Sequence, residues 1–174
     1  GRVALYLTDA TDLSDFGGTI QAYGGVNDHT AGSLPIASCG TVYLQTKGVE
    51  DGCGVVRVNN GGGITSSGGV DLPVTNRCDD LVKCYKNVTF DVAEGGTLFV
   101  TGDVTVKELE LGTKSRVNLN GHTLTIRSHA HKKGKGWPSN WNAKTSPLVE
   151  PGADADGNPG KIVWEPWGLM IMVR

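Results

Sequence analysis

The sequence predicts an all-β protein, a parallel β-solenoid (β-helix) with irregular loop insertions, and three observations carry that prediction. From Gly95 to Ile126 short apolar-polar alternations recur every five to eight residues with almost nothing between them, a pacing that hairpin sheets do not have. Leu98 to Val117 spans 19 residues and takes in three strand pieces, which is about one coil of a three-faced parallel solenoid. Phrases also return about 37 residues apart: Gly40-Thr-Val-Tyr-Leu-Gln echoes Gly1-Arg-Val-Ala-Leu-Tyr, and Cys53-Gly-Val-Val-Arg-Val-Asn-Asn-Gly-Gly echoes Phe16-Gly-Gly-Thr-Ile-Gln-Ala-Tyr-Gly-Gly. Such repetition supports stacked layers independently of the strand pacing.

Taken in order, residues 1–62 read as a two-layer glycine-rich repeat that opens with a strand from Val3 to Leu7. Residues 63–87 read as a loop insertion that contains cysteines and protrudes from the stack. The regular coils occupy 88–127, where two-residue alternation puts Leu98, Val100, Val104, Val106, Leu109, Leu111, Val117, Leu119, Leu124 and Ile126 on one side. Residues 128–160 carry Gly, Pro, Asn, Trp and charge without periodicity, and a structureless stretch of that length is usually functional or a clamp over an edge. Residues 161–174 supply terminal strands, Lys161 to Trp164 and the apolar Leu169-Met-Ile-Met-Val173. No segment has the period of an amphipathic helix, and 174 residues fit one domain.

Composition narrows the function classes. The 26 glycines are about double the usual ~7% usage, and their doublets and triplets punctuate strands. A collagen period is absent, and a 38% apolar fraction is too high for a disordered tract. A net charge of −2, with both signs mixed along the chain, gives no electrostatic reason to expect nucleic acid or an anionic membrane as partner. The basic patch His129-Ala-His-Lys-Lys-Gly-Lys135 reads as a solvated corner. No run approaches the ~20 apolar residues of a membrane helix. The chain opens inside a strand without an initiator methionine or signal peptide, which predicts a mature or excised portion of a longer product.

Cys39, Cys53, Cys78 and Cys84 fall within 46 residues and are even in number, so two disulfides are expected, with three connectivities open. The preferred pairing joins Cys78 to Cys84 and Cys39 to Cys53. The spacing lacks the paired C-x-x-C of a zinc site, and buried free thiols are the remaining reading. Oxidised cysteines imply a location outside the cytosol.

No residue is assigned a catalytic role. Polysaccharide-cutting β-helix enzymes use carboxylates on the outer face of neighbouring coils, and the acids to consider are Asp91, Asp103, Glu108 and Glu110. None has a partner at a spacing that forces the two together. Asp154-Ala-Asp156-Gly-Asn158 has the composition of an oxygen-rich calcium turn, the one cofactor considered, but it lacks the downstream glutamate and reads more simply as a self-bonded turn. His122, His129 and His131 do not share one parity and read as polar corner residues. Trp137 and Trp141 are candidates for stacking on sugar rings, against packing the irregular segment down as a lid.

The phrases at 1–6, 18–25, 40–44 and 58–62 resemble the glycine-rich β-repeat segments of very large bacterial secreted and cell-surface, adhesin-like proteins. Asn120-Gly-His-Thr-Leu-Thr-Ile126 is similar to right-handed β-helix coils in general. The resemblance covers about the first third of the chain and brings no catalytic residues. It implies an extracellular or cell-surface location and a structural or adhesive role, although the cysteines depart from the usual cysteine-poor pattern. In a bacterial protein the sequon Asn87-Val-Thr89 carries no meaning.

The ends of the stack carry the functional expectation. Solenoids cap their open ends against edge association, and no cap precedes Val3. The sequence therefore predicts a structural extracellular protein, a subunit or segment of a self-assembling surface fibre, sheath or adhesin. Its partner is itself, through Val3, Leu5 and Leu7 at one end and Leu169, Ile171 and Val173 at the other. Head-to-tail contact of that kind propagates when it does not close. The alternative is a carbohydrate-binding or polysaccharide-acting β-helix module with glycans as partners.

Overall fold

The computed structural model describes residues 1–25, 37–63, 68–72, 85–128 and 148–165. Within them every element is a strand: β1 (Arg2–Tyr6), β2 (Thr41–Gln45), β3 (Val55–Asn59), β4 (Val70–Leu72), β5 (Thr89–Ala93), β6 (Thr97–Val100), β7 (Val104–Val106), β8 (Glu108–Leu111), β9 (Arg116–Asn118), β10 (Thr123–Ile126), β11 (Leu148–Glu150) and β12 (Lys161–Trp164). They make three sheets, ordered β1-β2-β3-β5-β8, β11-β9-β6-β4 and β12-β10-β7. All strand pairs are parallel except β2 with β3. The chain is thus all-β and mostly parallel.

The alternating run behaves as its spacing predicts. Strands β5, β6 and β7 enter three different sheets, and β8, β9 and β10 revisit those sheets in the same order. Thr89 lies opposite Glu108 and Leu98 opposite Val117, 19 residues on in each case, while Val104 lies opposite Leu124, 20 residues on. This shift places apolar position over apolar position. Leu98, Val100, Val106, Leu109, Val117 and Leu124 are buried to 1% exposure or less in one continuous core, each contributing about 1.5–3 kcal/mol of burial. Leu111 packs against the core only partly buried.

Tight corners make so short a coil possible. Glu94 and Gly95 leave β5 at φ of 46° and 84°, and Asn120 and Gly121 leave β9 at 46° and 82°. A Cβ on Gly95 would collide with the carbonyl oxygen of Gly63 in the corner stacked on it, and one on Gly121 with the backbone nitrogen of Asp154. Only glycine satisfies the left-handed turn and the close stack together. Backbone bonds then join corner to corner: Gly62 N–H donates to Glu94 O (2.7 Å), Glu94 N–H to Thr113 O (2.8 Å), and Gly121 N–H to Pro151 O (3.0 Å).

Several expectations need correction. The unit from Gly40 to Gly62 is not a second coil, because β2 and β3 pair antiparallel. The connection between them is too short for a parallel crossover. A polar network holds the turn: the Tyr43 hydroxyl donates to Gln45 Oε1 (2.8 Å) and accepts from Gly54 N–H (3.1 Å), and Gln45 Nε2 donates to Asp51 Oδ1 (2.9 Å). The first echo is a true pairing, with Arg2 opposite Thr41 through Tyr6 opposite Gln45. The second is not, since residues 16–25 form no strand. Instead Gly24 N–H donates to the side-chain oxygen of Asn60 (2.8 Å), whose amide nitrogen donates to Ala37 O and Gly63 O. Asn60 is fully buried.

Two regions read as irregular also contribute strands. Val70 and Leu72 of β4 are buried beside β6, in keeping with their apolar-polar-apolar parity. Strand β11 pairs with β9, Leu148 opposite Arg116, so its three residues are ordered by a neighbouring coil rather than by their own pattern.

Replacing Leu98 with Ala in this core should cost about 3 kcal/mol in urea unfolding. Asn60→Ala, which leaves Gly24 N–H and two carbonyls without their partner, should cost about 2 kcal/mol. A loss below about 0.5 kcal/mol for Asn60→Ala, the low end for a single hydrogen bond, would mean that the amide does not tie these segments together.

Candidate functional site

Parallel stacking aligns the outward faces of the strands into ladders. In the first sheet Arg57 lies opposite Asp91, and Asp91 opposite Glu110. Asp91 and Glu110 are therefore brought together on neighbouring strands ~4.8 Å apart, contrary to the expectation that no acid has a forced partner. Their separation in sequence equals the coil length of 19, the signal that could have found them. Arg57 Nε sits 3.7 Å from Asp91 Oδ2, with both side chains at least one-third exposed. Burial pushes the Asp91 carboxyl above its ordinary range, Arg57 pulls it back down, and Glu94 adds to the rise. A carboxyl so placed can hold a proton that a solvated acid releases.

The other acids are elsewhere. Glu108 stands opposite Thr89 and accepts from Ser128 Oγ (3.3 Å). Asp103 accepts the N–H of Thr123 (2.7 Å) and lies 3.8 Å from His122 Nδ1.

Asp154, Asp156 and Asn158 converge, but as a turn closed on itself. Asp154 Oδ1 accepts from the backbone N–H of Asp156 (2.9 Å) and of Asn158 (2.8 Å), and its Oδ2 accepts from the Asn158 amide (3.0 Å). The Asn158 side chain, then its backbone N–H, holds the Asp154 carboxyl below the usual range. N–H groups occupy the oxygens a calcium ion would need. Among the described residues no three His, Cys, Asp or Glu side chains converge to hold a metal.

The pairing of Cys39 with Cys53 is corrected: both are free thiols. Cys39 precedes β2 and is buried in the core, whereas the antiparallel register carries Cys53 to the far end of the same strand. At ~3.3 Å per residue the two are roughly 20 Å apart, well beyond the ~7 Å that a disulfide spans. Cys78, Cys84, His129, His131, Trp137, Trp141, Leu169, Ile171 and Val173 lie outside the described residues.

A groove of about 680 Å³ beside the first sheet is lined by Leu44, Glu50, Cys53, Asn87, Lys107 and Arg127 among others. Arg127 is engaged there as a clamp. Its Nη1 donates to Lys86 O (3.1 Å) and Asn87 Oδ1 (2.8 Å), and its Nε donates to Glu165 Oε2 (2.9 Å). No described helix is long and apolar enough to cross a membrane.

Strand β1 differs from every other element. It forms the outer edge of its sheet and pairs only with β2 among the described residues. None of its five residues is buried: Val3 is 37% and Tyr6 62% exposed. The carbonyl of Gly1 and the N–H of Leu7 are spent on Thr41 and Gln45 of the β2 side. Successive residues of a strand present their backbone groups to alternate sides, so those of Arg2, Ala4 and Tyr6 face outward, unspent on β2. The side chains of Val3 and Leu5 share one face, and those of Arg2, Ala4 and Tyr6 the other. Val3 and Leu5 thus sit on the predicted edge, while Leu7 lies just past the strand. Arg2, Ala4 and Tyr6 were missed, because nothing in the sequence says which parity faces β2.

No protein-family model, curated protein or solved structure matches this chain. The functional reading therefore rests on the geometry.

The raised Asp91 carboxyl has a pH signature. The folded state holds the proton more tightly than the unfolded chain, so the cost of burying the charge is present above the folded-state value and disappears as pH falls below the unfolded value of about 3.9. Asp91→Asn should raise the melting temperature at neutral pH and leave it unchanged near pH ~3, below both values. A loss of stability at neutral pH would mean that the Arg57 pairing outweighs burial.

Proposed function

We propose that this chain is a β-solenoid, right-handed as parallel crossovers overwhelmingly are, with a structural role. It is an extracellular subunit or segment of a surface fibre, sheath or adhesin that joins its neighbours through strand edges. The observation that carries this reading is β1, an edge strand without a buried residue and with a row of unspent backbone groups, the arrangement that templates pairing with another chain. The 19-residue coil shift supports the solenoid, since each sheet is extended by one strand per circuit. With Cys39 and Cys53 unpaired, the extracellular assignment draws on the resemblance of the glycine-rich phrases alone.

One observation favours a second reading, a polysaccharide-acting module: the in-register pair Asp91 and Glu110 beside Arg57.

Electron microscopy and sedimentation of the purified chain test the first reading. Polymers or oligomers should form, and a charge placed on the edge by Val3→Lys should abolish or strongly reduce them. Monodisperse monomers at every concentration would overturn it. Release of reducing sugar from acidic or neutral polysaccharides, lost in both Asp91→Asn and Glu110→Gln, would establish the second reading in its place.

A further inference from the structure

We infer that the β1 edge docks on the β1 edge of a second copy, antiparallel and about a two-fold axis through Ala4, so that the contact at this end is head-to-head. The inference rests on the self-association reading above and names its partner and register. The backbone groups turned outward belong to Arg2, Ala4 and Tyr6. Facing residues of an antiparallel pair exchange both hydrogen bonds only when both turn their groups toward the partner. The register that satisfies all three residues at once sets Ala4 against Ala4 and Arg2 against Tyr6 of the other copy.

The side chains agree with that register. Arg2 is exposed and makes no ion pair among the described residues. Tyr6 is 62% exposed and leans on Tyr43, ring centroids 5.7 Å apart. In the paired edge each Arg2 guanidinium reaches the open side of the opposing Tyr6 ring, a cation–π contact made twice by symmetry. On the opposite face Val3 meets Leu5, covering the apolar surface that β1 leaves to solvent. Ala4, the smallest side chain of the strand, lies on the axis where two copies of one residue must fit together. Any register shifted along the strand loses a facing pair and sets Arg2 off from Tyr6. A partner of different sequence would have no such reason to match.

Because the operation closes on itself, this contact makes a dimer and does not propagate. An edge of five residues buries little area, so association is reversible and concentration-dependent.

Two substitutions test the register on the full chain. Ala4→Pro removes an N–H that β2 does not use, a change edge strands tolerate. It should leave the melting temperature unchanged and weaken dimerisation at least tenfold in sedimentation velocity. Ala4→Cys, made in a Cys53→Ser background and gently oxidised, should give a covalent dimer joined through the two introduced thiols, because facing α-carbons are ~5.5 Å apart. Val3→Cys in the same background should cross-link at least tenfold less, as its counterpart lies two residues away along the strand. Oligomers that persist while Ala4→Cys cross-links no better than Val3→Cys would overturn the head-to-head register and leave self-association standing. Absence of any oligomer in the unsubstituted chain would overturn both.

Discussion

The backbone pairing of each coil with the next, at a nearly constant shift, is the constraint on which the rest of the structure depends. A strand's side chains alternate faces, so a slip of one residue would turn every buried side chain to solvent. The 19-residue shift that sets Leu98 on Val117 and Thr89 on Glu108 leaves no such freedom. It also dictates the corners. A chain that must turn within a few residues and then stack on the corner below has to adopt positive φ, as at Glu94, Lys114 and Asn120. The apolar core and the turn chemistry are thus two consequences of one register.

Extra length is absorbed where the register is not at stake. Strand β11 lies 32 residues beyond its partner β9, Arg116 opposite Leu148, and β12 lies 38 beyond β10, Thr123 opposite Lys161. The strands nevertheless superpose in step, because the added residues sit between them. The turn at Asp154 shows how one such insertion is made self-sufficient: its carboxylate satisfies the local N–H groups and asks nothing of the core. The outer faces are then secured by side chains reaching from coil to coil, most firmly where the Arg116 guanidinium grips Glu150 with two bonds of 2.8 and 2.9 Å. Isolated pairs such as Arg57 with Asp91 add at most about 1 kcal/mol, so these contacts adjust a stack whose register is already set.

The first sheet continues past the coils into β1 and β2. There the stack no longer encloses anything, and β1 is held by hydrogen bonds to one neighbour with little burial. Elements of this kind open most readily, and they are also the ones that gain most from a partner. Local stability and association are linked here: the edge is weak because its covering surface is not part of its own coil.

Periodicity alone determined the all-β class, the inward set from Leu98 to Ile126 and the length of a coil, because alternation depends only on neighbouring residues and repeats without knowledge of the fold. Pairing between distant segments was decided by the tertiary structure. Cys39 and Cys53 are close in sequence but lie at opposite ends of β2, since a short connection must return antiparallel. Asp91 and Glu110 are far apart in sequence and face each other, since one circuit of the coil separates them. Asn60 reads as a turn residue and is a buried tie between three segments. Strand β11 has too short a pattern to announce itself and is ordered by β9. Val3 and Leu5 were legible as an edge, but which backbone groups stand open depends on which side of β1 the second strand occupies, and only the folded chain determines that.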